Sequence, residues 1–91
     1  MKRLTDSERA EKGIPDVLQD TGVWNVWECE PSKFNWHYES EEQAYLYEGR
    51  VKVRAGSQLV EIKAGDYAVF PTGLNCTWEV LQTVKKVYRF V

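Results

Sequence analysis

Metal ligands are scarce in this chain. It holds a single histidine, His37, and two cysteines, Cys29 and Cys76, among 91 residues. The cysteines form no CxxC and no zinc-like spacing, which excludes the common structural zinc modules. Two thiols do not establish a disulfide, and a pair of buried or pocket thiols is the simpler reading. No apolar run approaches the ~20 residues of a membrane span, and nothing resembles a signal peptide, so the expectation is a soluble cytoplasmic protein without a membrane partner. Charge of one sign is also lacking. Twelve basic against fourteen acidic residues leave a net charge of −2, with no overall attraction to nucleic acid or anionic lipid. Repeats and low-complexity tracts are absent.

Aromatic residues are plentiful instead: four Trp, five Tyr and three Phe. They suit a β-rich core or a stacking pocket. The chain is one domain, and a domain of this length buries only about 60–65% of its unfolded surface, which favours self-association. Residues 1–22 read as an arm. Thr5-Asp6-Ser7-Glu8-Arg9-Ala10-Glu11-Lys12-Gly13 offers an N-cap, helix formers and a terminal Gly, and Pro15 holds Ile14 extended, so one or two helical turns at most are expected there. The arm should drape over the barrel or over a neighbouring subunit, pinned by Ile14, Val17 and Leu18.

Residues 23–91 alternate in the period of strands. Val23–Cys29, Phe34–Tyr38 and Glu42–Glu48 are separated by Glu30-Pro31-Ser32-Lys33 and the acidic Glu39-Ser40-Glu41. Gly49 stops the third run. Val51 and Val53 then alternate with Arg50, Lys52 and Arg54, a half-buried strand with a basic outer face. Ala55-Gly56-Ser57 and Gly65-Asp66 turn the chain around Leu59–Ile62, and Pro71-Thr72-Gly73 ends the next strand. Leu74–Leu81, a turn at Gln82-Thr83 and Val84–Phe90 complete roughly eight strands, the pattern of an all-β sandwich or barrel.

Glu42 with six residues to Gly49, and Gly65 with five residues to Pro71 and one more to Gly73, resemble the two cupin motifs. The match is closest to small single-domain cupins grouped with the ureidoglycine and ethanolamine-utilisation cupins. Trp36-His37-Tyr38, Tyr45-Leu46-Tyr47-Glu48-Gly49, Phe70-Pro71-Thr72-Gly73, Cys76-Thr77-Trp78 and Lys85-Lys86-Val87-Tyr88 carry it, over about residues 23–91. The resemblance implies a double-stranded β-helix, a jelly-roll barrel, with Glu42 and Cys76 facing its interior. In metal-binding cupins a His-x-His pair, this Glu and a second-motif His hold a divalent ion. Here those positions fall on Trp36, Tyr38 and Cys76, and only Glu42 survives. Trp offers no ligand, and a phenol ionises only near pH 10. A spacer one residue longer would bring in His37 but pair it with Asn35. No cofactor is therefore expected. Glu42, Cys76 and His37 would be the ligands of a weak divalent site if a degenerate one existed.

Parity completes the candidate site. Positions two apart on a strand share a face, so Trp36, Tyr38 and Trp78 join Glu42 and Cys76 inside, and Lys86 with Tyr88 follows if the last strand is in register. Glu42, Tyr38 and Lys86 are the acid–base candidates. Trp36, Cys76, Trp78 and Tyr88 are the ligand-binding ones. His37, the neighbour of Trp36 and Tyr38, should point away, and Cys76 has no imidazole in the motif position to activate it. Two functions follow. One is an enzyme on a small polar metabolite, acting by acid–base chemistry such as dehydration, epimerisation or C–N hydrolysis. The other is a non-catalytic ligand-binding or interaction module. A nucleic-acid-binding OB fold, suggested by the Arg50, Lys52 and Arg54 stripe, lacks the acid–base balance and RNA-binding signatures it would need. Unpaired strand edges and the arm point to a homodimer.

Overall fold

The computed structural model describes residues 2–14 and 24–91. Its elements are β1 (Lys2–Arg3), α1 (Asp6–Glu11), β2 (Asn25–Cys29), β3 (Ser32–His37), β4 (Glu42–Ala55), β5 (Gln58–Lys63), β6 (Asp66–Phe70) and β7 (Asn75–Phe90). All pairings are antiparallel. The first part of β4 lies between β6 and the end of β7, with Ala44 opposite both Ala68 and Tyr88. Its second part lies between β5 and the start of β7, with Val53 opposite Val60 and Trp78. The start of β7 also holds β3, and its end holds β2. Two sheet halves result, β1-β6-β4-β7-β2 and β5-β4-β7-β3, joined through the two shared strands. This is the all-β jelly roll, a double-stranded β-helix.

The shared strands correct two expectations. Gly49 does not end a strand, and Gln82-Thr83 is not a turn. β4 runs unbroken for 14 residues and β7 for 16. Between them the register shifts at Leu46/Glu48, Glu48/Arg50 and Arg50/Val51. Such bulges bend a strand pair and sharpen its twist without breaking the ladder, which lets one strand serve both halves. Gly49 sits at the bend with φ +99°, and a Cβ there would lie 2.5 Å from the Thr83 carbonyl oxygen and 2.6 Å from the Val84 Cα. Ser32 and Lys33 also belong to β3 rather than to the turn before it.

Alternation then decides what is buried. Ala44, Leu46, Ala68, Phe70 and Val84 from one half meet Val51, Val53, Ile62, Trp78 and Val80 from the other in a single core. The opposite face of the first half is buried as well, because the arm covers it. Leu4 and Ile14 pack with Trp24, Tyr45, Tyr67 and Val87. Thr5 and Glu8 form a capping box at the start of α1, which satisfies two otherwise unpaired amide groups. The Trp24 indole donates to the Gly13 carbonyl at 3.0 Å. Ile14 therefore pins the arm as expected, while Val17 and Leu18 lie outside the described residues. Burying side chains such as Leu4 and Ile14 contributes about 1.5–3 kcal/mol each. No helix among the described residues is long and apolar enough to cross a membrane.

The bend yields a contrast between two glycines. Gly56 has φ +60° and nothing within 4 Å of a built Cβ, so Gly56→Ala should cost about 1 kcal/mol, the strain of a left-handed alanine. Gly49→Ala adds a backbone collision and should cost at least about twice that. Urea denaturation of the two variants measures the difference, and equal midpoints would count against the close crossing.

Candidate functional site

Among the described residues, one ion pair lies in the barrel interior. Lys86 Nζ donates to Glu42 Oε2 at 2.9 Å, and both side chains are 6% exposed. The register explains the reach. Lys86 lies opposite Leu46, while Glu42 lies opposite Phe90 four positions further along. At about 3.3 Å per residue, the two backbones are far apart, and the lysine stem must extend along the inside of the sheet past Tyr88. Its ammonium ends 4.6 Å from the Trp78 ring centroid, 4.9 Å from Trp27 and 5.4 Å from Tyr88. These rings present electron-rich faces to a desolvated cation, each worth on the order of 1 kcal/mol. Burial pushes the Lys86 amine below its ordinary value of 10.5, and Glu42 opposes that shift.

A cavity of about 270 Å³ opens over this pair, lined by Trp27, Phe34, Trp36, Tyr38, Glu42, Trp78, Lys86, Tyr88 and Phe90. Its walls are braced ring to ring. Trp27 meets Trp78 edge-on at 6.0 Å, and Tyr38 stacks on Phe70 at 5.0 Å with the planes 1° apart. Tyr38 is held at its backbone too: its amide donates to the Leu74 carbonyl at 2.9 Å, and its own carbonyl accepts from Gly73 at 2.7 Å. The turn after Pro71 thus fixes a cavity wall. Trp36 and Phe90 are half-exposed and form the rim.

Six of the seven sequence candidates line this cavity: Tyr38, Glu42, Lys86, Trp36, Trp78 and Tyr88. Cys76 does not. It is buried in the core beside Trp78, but it borders a separate, open groove with Asn35, His37 and Arg54. Burial pushes its thiol above the ordinary range, with Glu42 adding to the shift, so it is a poor nucleophile. His37 points outward and hydrogen-bonds Asn75 Oδ1 through Nδ1 at 2.7 Å. Trp27, Phe34 and Phe90 were missed. Phe34 and Phe90 follow from parity, each two positions from a chosen residue. Trp27 needs the β2–β7 register, which sets it opposite Lys86.

Tyr38 holds its phenolic proton far above the ordinary value of 10.0, first because it is buried and then because Glu42 and Cys76 disfavour a second negative charge. The buried Trp78 Nε1 lies near enough to favour the ionised forms of Tyr38 and Cys76, yet it makes no hydrogen bond of normal geometry among the described residues. We regard it as a donor without a protein acceptor.

The profile of the EutQ-like cupin domain matches residues 18–88. The chain belongs to that family. A DUF861 family protein from Thermotoga maritima shares this cupin's structure over 99% of this chain and 96% of its own, at 33% identity and a TM-score of 0.87. EutQ from Clostridium difficile matches 69% of this cupin at 19% identity and a TM-score of 0.65. A putative ethanolamine utilization protein Q from Salmonella typhimurium matches 69% at 24% identity, also with a TM-score of 0.65. The cupin spans only about half the length of those two proteins, 50% and 51%. Comparison with curated proteins gives no match.

The cupin metal set does not fit these residues. By the motif spacing Trp36 and Tyr38 fall where the resemblance would put His-x-His, Glu42 is paired with Lys86, and no group of three His, Cys, Asp or Glu is placed to hold an ion among the described residues. The ammonium stands beside the surviving carboxylate, where a divalent ion would meet like charge.

The tyrosines give this site a readable pH signature. Tyr38 is raised above 10.0, and Tyr67 is raised by burial as well. Above pH 10 the unfolded chain releases protons that the folded chain retains. The stabilisation is therefore complete below about pH 10 and is lost as pH rises further. Lys86, lowered from 10.5, acts with the opposite sign, its penalty easing as pH rises toward that value. Absorbance at 295 nm should show a part of the tyrosine signal, that of Tyr38 and Tyr67, appearing only on unfolding, and Tyr38→Phe should flatten the alkaline fall in urea midpoint. Ionisation of every tyrosine in the folded protein near pH 10 would contradict the burial.

Proposed function

We propose that this cupin binds a small polar metabolite in the barrel, with Glu42 and Lys86 as its polar contacts and Trp27, Trp36, Trp78 and Tyr88 as its walls. One observation carries the reading: a desolvated ion pair at the floor of an aromatic cavity. A buried pair is weak support for stability, since well-packed apolar residues of similar volume often do as well or better. A buried pair that lines a cavity is better accounted for by a ligand. Binding is proposed to proceed without a transition metal, because the carboxylate that would hold one is engaged by Lys86.

A second reading, acid–base catalysis on the bound metabolite, has a specific observation in its favour. Burial lowers the Lys86 amine from its ordinary value, the direction that helps an amine take part in proton transfer. Tyr38 argues less strongly for it, since a phenol that keeps its proton serves better as a hydrogen-bond donor than as a base.

A screen of polar metabolites by ligand-observed NMR tests the first reading. Hits should perturb the indole N–H resonances of Trp27 and Trp78 and weaken at least about tenfold in Glu42→Gln, the usual scale for a lost charged hydrogen bond. Hits unaffected by both Glu42→Gln and Lys86→Met would place binding elsewhere. Product formation from a hit, abolished in Glu42→Gln, would decide for catalysis. Elemental analysis should find far less than one Fe, Mn, Ni or Zn per chain. A full equivalent that disappears in Glu42→Ala would overturn the metal-free assignment.

A further inference from the structure

The chemistry left open at the cavity floor narrows the ligand class. Lys86 carries three N–H donors as an ammonium, and one of them meets Glu42 Oε2. Glu42 Oε1 accepts no hydrogen bond among the described residues, although the side chain lines the cavity. An unused donor and an unused acceptor therefore stand side by side, joined by the 2.9 Å contact.

Charge, size and shape restrict what can use them. The floor is neutral as a whole, one carboxylate against one ammonium. An anionic ligand would compete with Glu42 for Lys86, and a cationic one would compete with Lys86 for Glu42. Either would leave a buried charge short of its partner, which is costly in a dry site. The cavity, at about 270 Å³, falls below the ~300–1,000 Å³ usual for drug-sized ligands, so it suits a single ring. Seven of its nine lining residues are aromatic, and such walls favour a flat π-system over a puckered polyol.

We propose that the cavity takes a small, neutral, planar cyclic amide, such as a pyridone or a pyrimidinedione, whose carbonyl accepts from Lys86 and whose adjacent N–H donates to Glu42 Oε1. The proposal rests on the small-ligand reading above and specifies its chemistry. A cis amide edge presents the acceptor and donor side by side, complementary to the pair on the protein. A ring bearing only one of them leaves the other charged group unmatched.

The test keeps the protein unaltered and varies the probe. Four single-ring compounds, 2-pyridone, N-methyl-2-pyridone, benzoate and benzylamine, are titrated into the wild-type chain while the indole N–H resonances are followed. The expected result is saturable binding of 2-pyridone at the cavity tryptophans. N-methyl-2-pyridone, which keeps the ring and the carbonyl but lacks the donor, should bind at least about tenfold more weakly, and the two ionic probes should also be weaker. Equal affinity for the methylated and unmethylated pyridones would overturn the amide-edge assignment, and so would preference for benzoate or benzylamine. In both cases the small-ligand reading survives, because a probe occupies the cavity. No response of the cavity tryptophans to any of the four also refutes the amide-edge assignment, and the metabolite screen then decides the broader reading alone.

Discussion

The crossing of β4 and β7 is the constraint from which the rest of this molecule follows. Each strand belongs to both sheet halves, and the bulged stretch between Leu46 and Val51 turns the pair from one half into the other. Gly49 makes the approach sterically feasible, since its missing side chain leaves room for Thr83 and Val84. With that bend in place, the inward residues of both halves meet, and the core from Ala44 to Val84 can form. The site depends on the same pair of strands, as Glu42 begins β4 and Lys86 lies near the end of β7. Their contact closes only because the register slides a lysine stem along the barrel toward a carboxylate four positions away.

The cavity is therefore a by-product of how the barrel is closed, and its chemistry is set by what fills the inward positions. In this chain, aromatic rings and one ion pair occupy them. The three ring faces around Lys86 solve a specific problem, the burial of a charge away from water, without a second carboxylate. They also lower the polarity around the pair, which strengthens any hydrogen bond formed there. Cys76 illustrates the converse. It stands at a motif position and is buried in the core beside Trp78, yet it does not line the cavity, and burial suppresses its thiol.

Much of this was readable from the residues because two rules reinforced one another. Parity placed Trp36, Tyr38 and Trp78 on the face of Glu42, and the motif spacing identified that face as interior. The same rule correctly turned His37 outward. It failed where strand pairing, which is not local, decides the outcome. Trp27 faces the site because it pairs with Lys86, and nothing within Asn25–Cys29 announces that. Gln82 and Thr83 are polar residues between two alternating runs, and a turn and a bend look alike in such a stretch. Gly49 was legible as a residue with positive φ, but the crossing that requires it involves residues more than thirty positions away. The buried outer face of Tyr45 and Tyr67 escaped for a similar reason, since its cover comes from the arm.

The role of β7 has a consequence for how the chain comes into being. It is the last of the described strands, and it pairs with β2, β3 and β4. During synthesis, those three strands emerge before the segment that joins them, with the apolar faces of Trp27, Phe34 and Val51 lacking their partner. The half built on β5 and β3 waits for residues 75–82, and the half built on β6 and β2 waits for the residues through Phe90. Both halves thus wait on one strand with distant pairings, a topology that folds slowly and leaves strand edges open to aggregation in the interval.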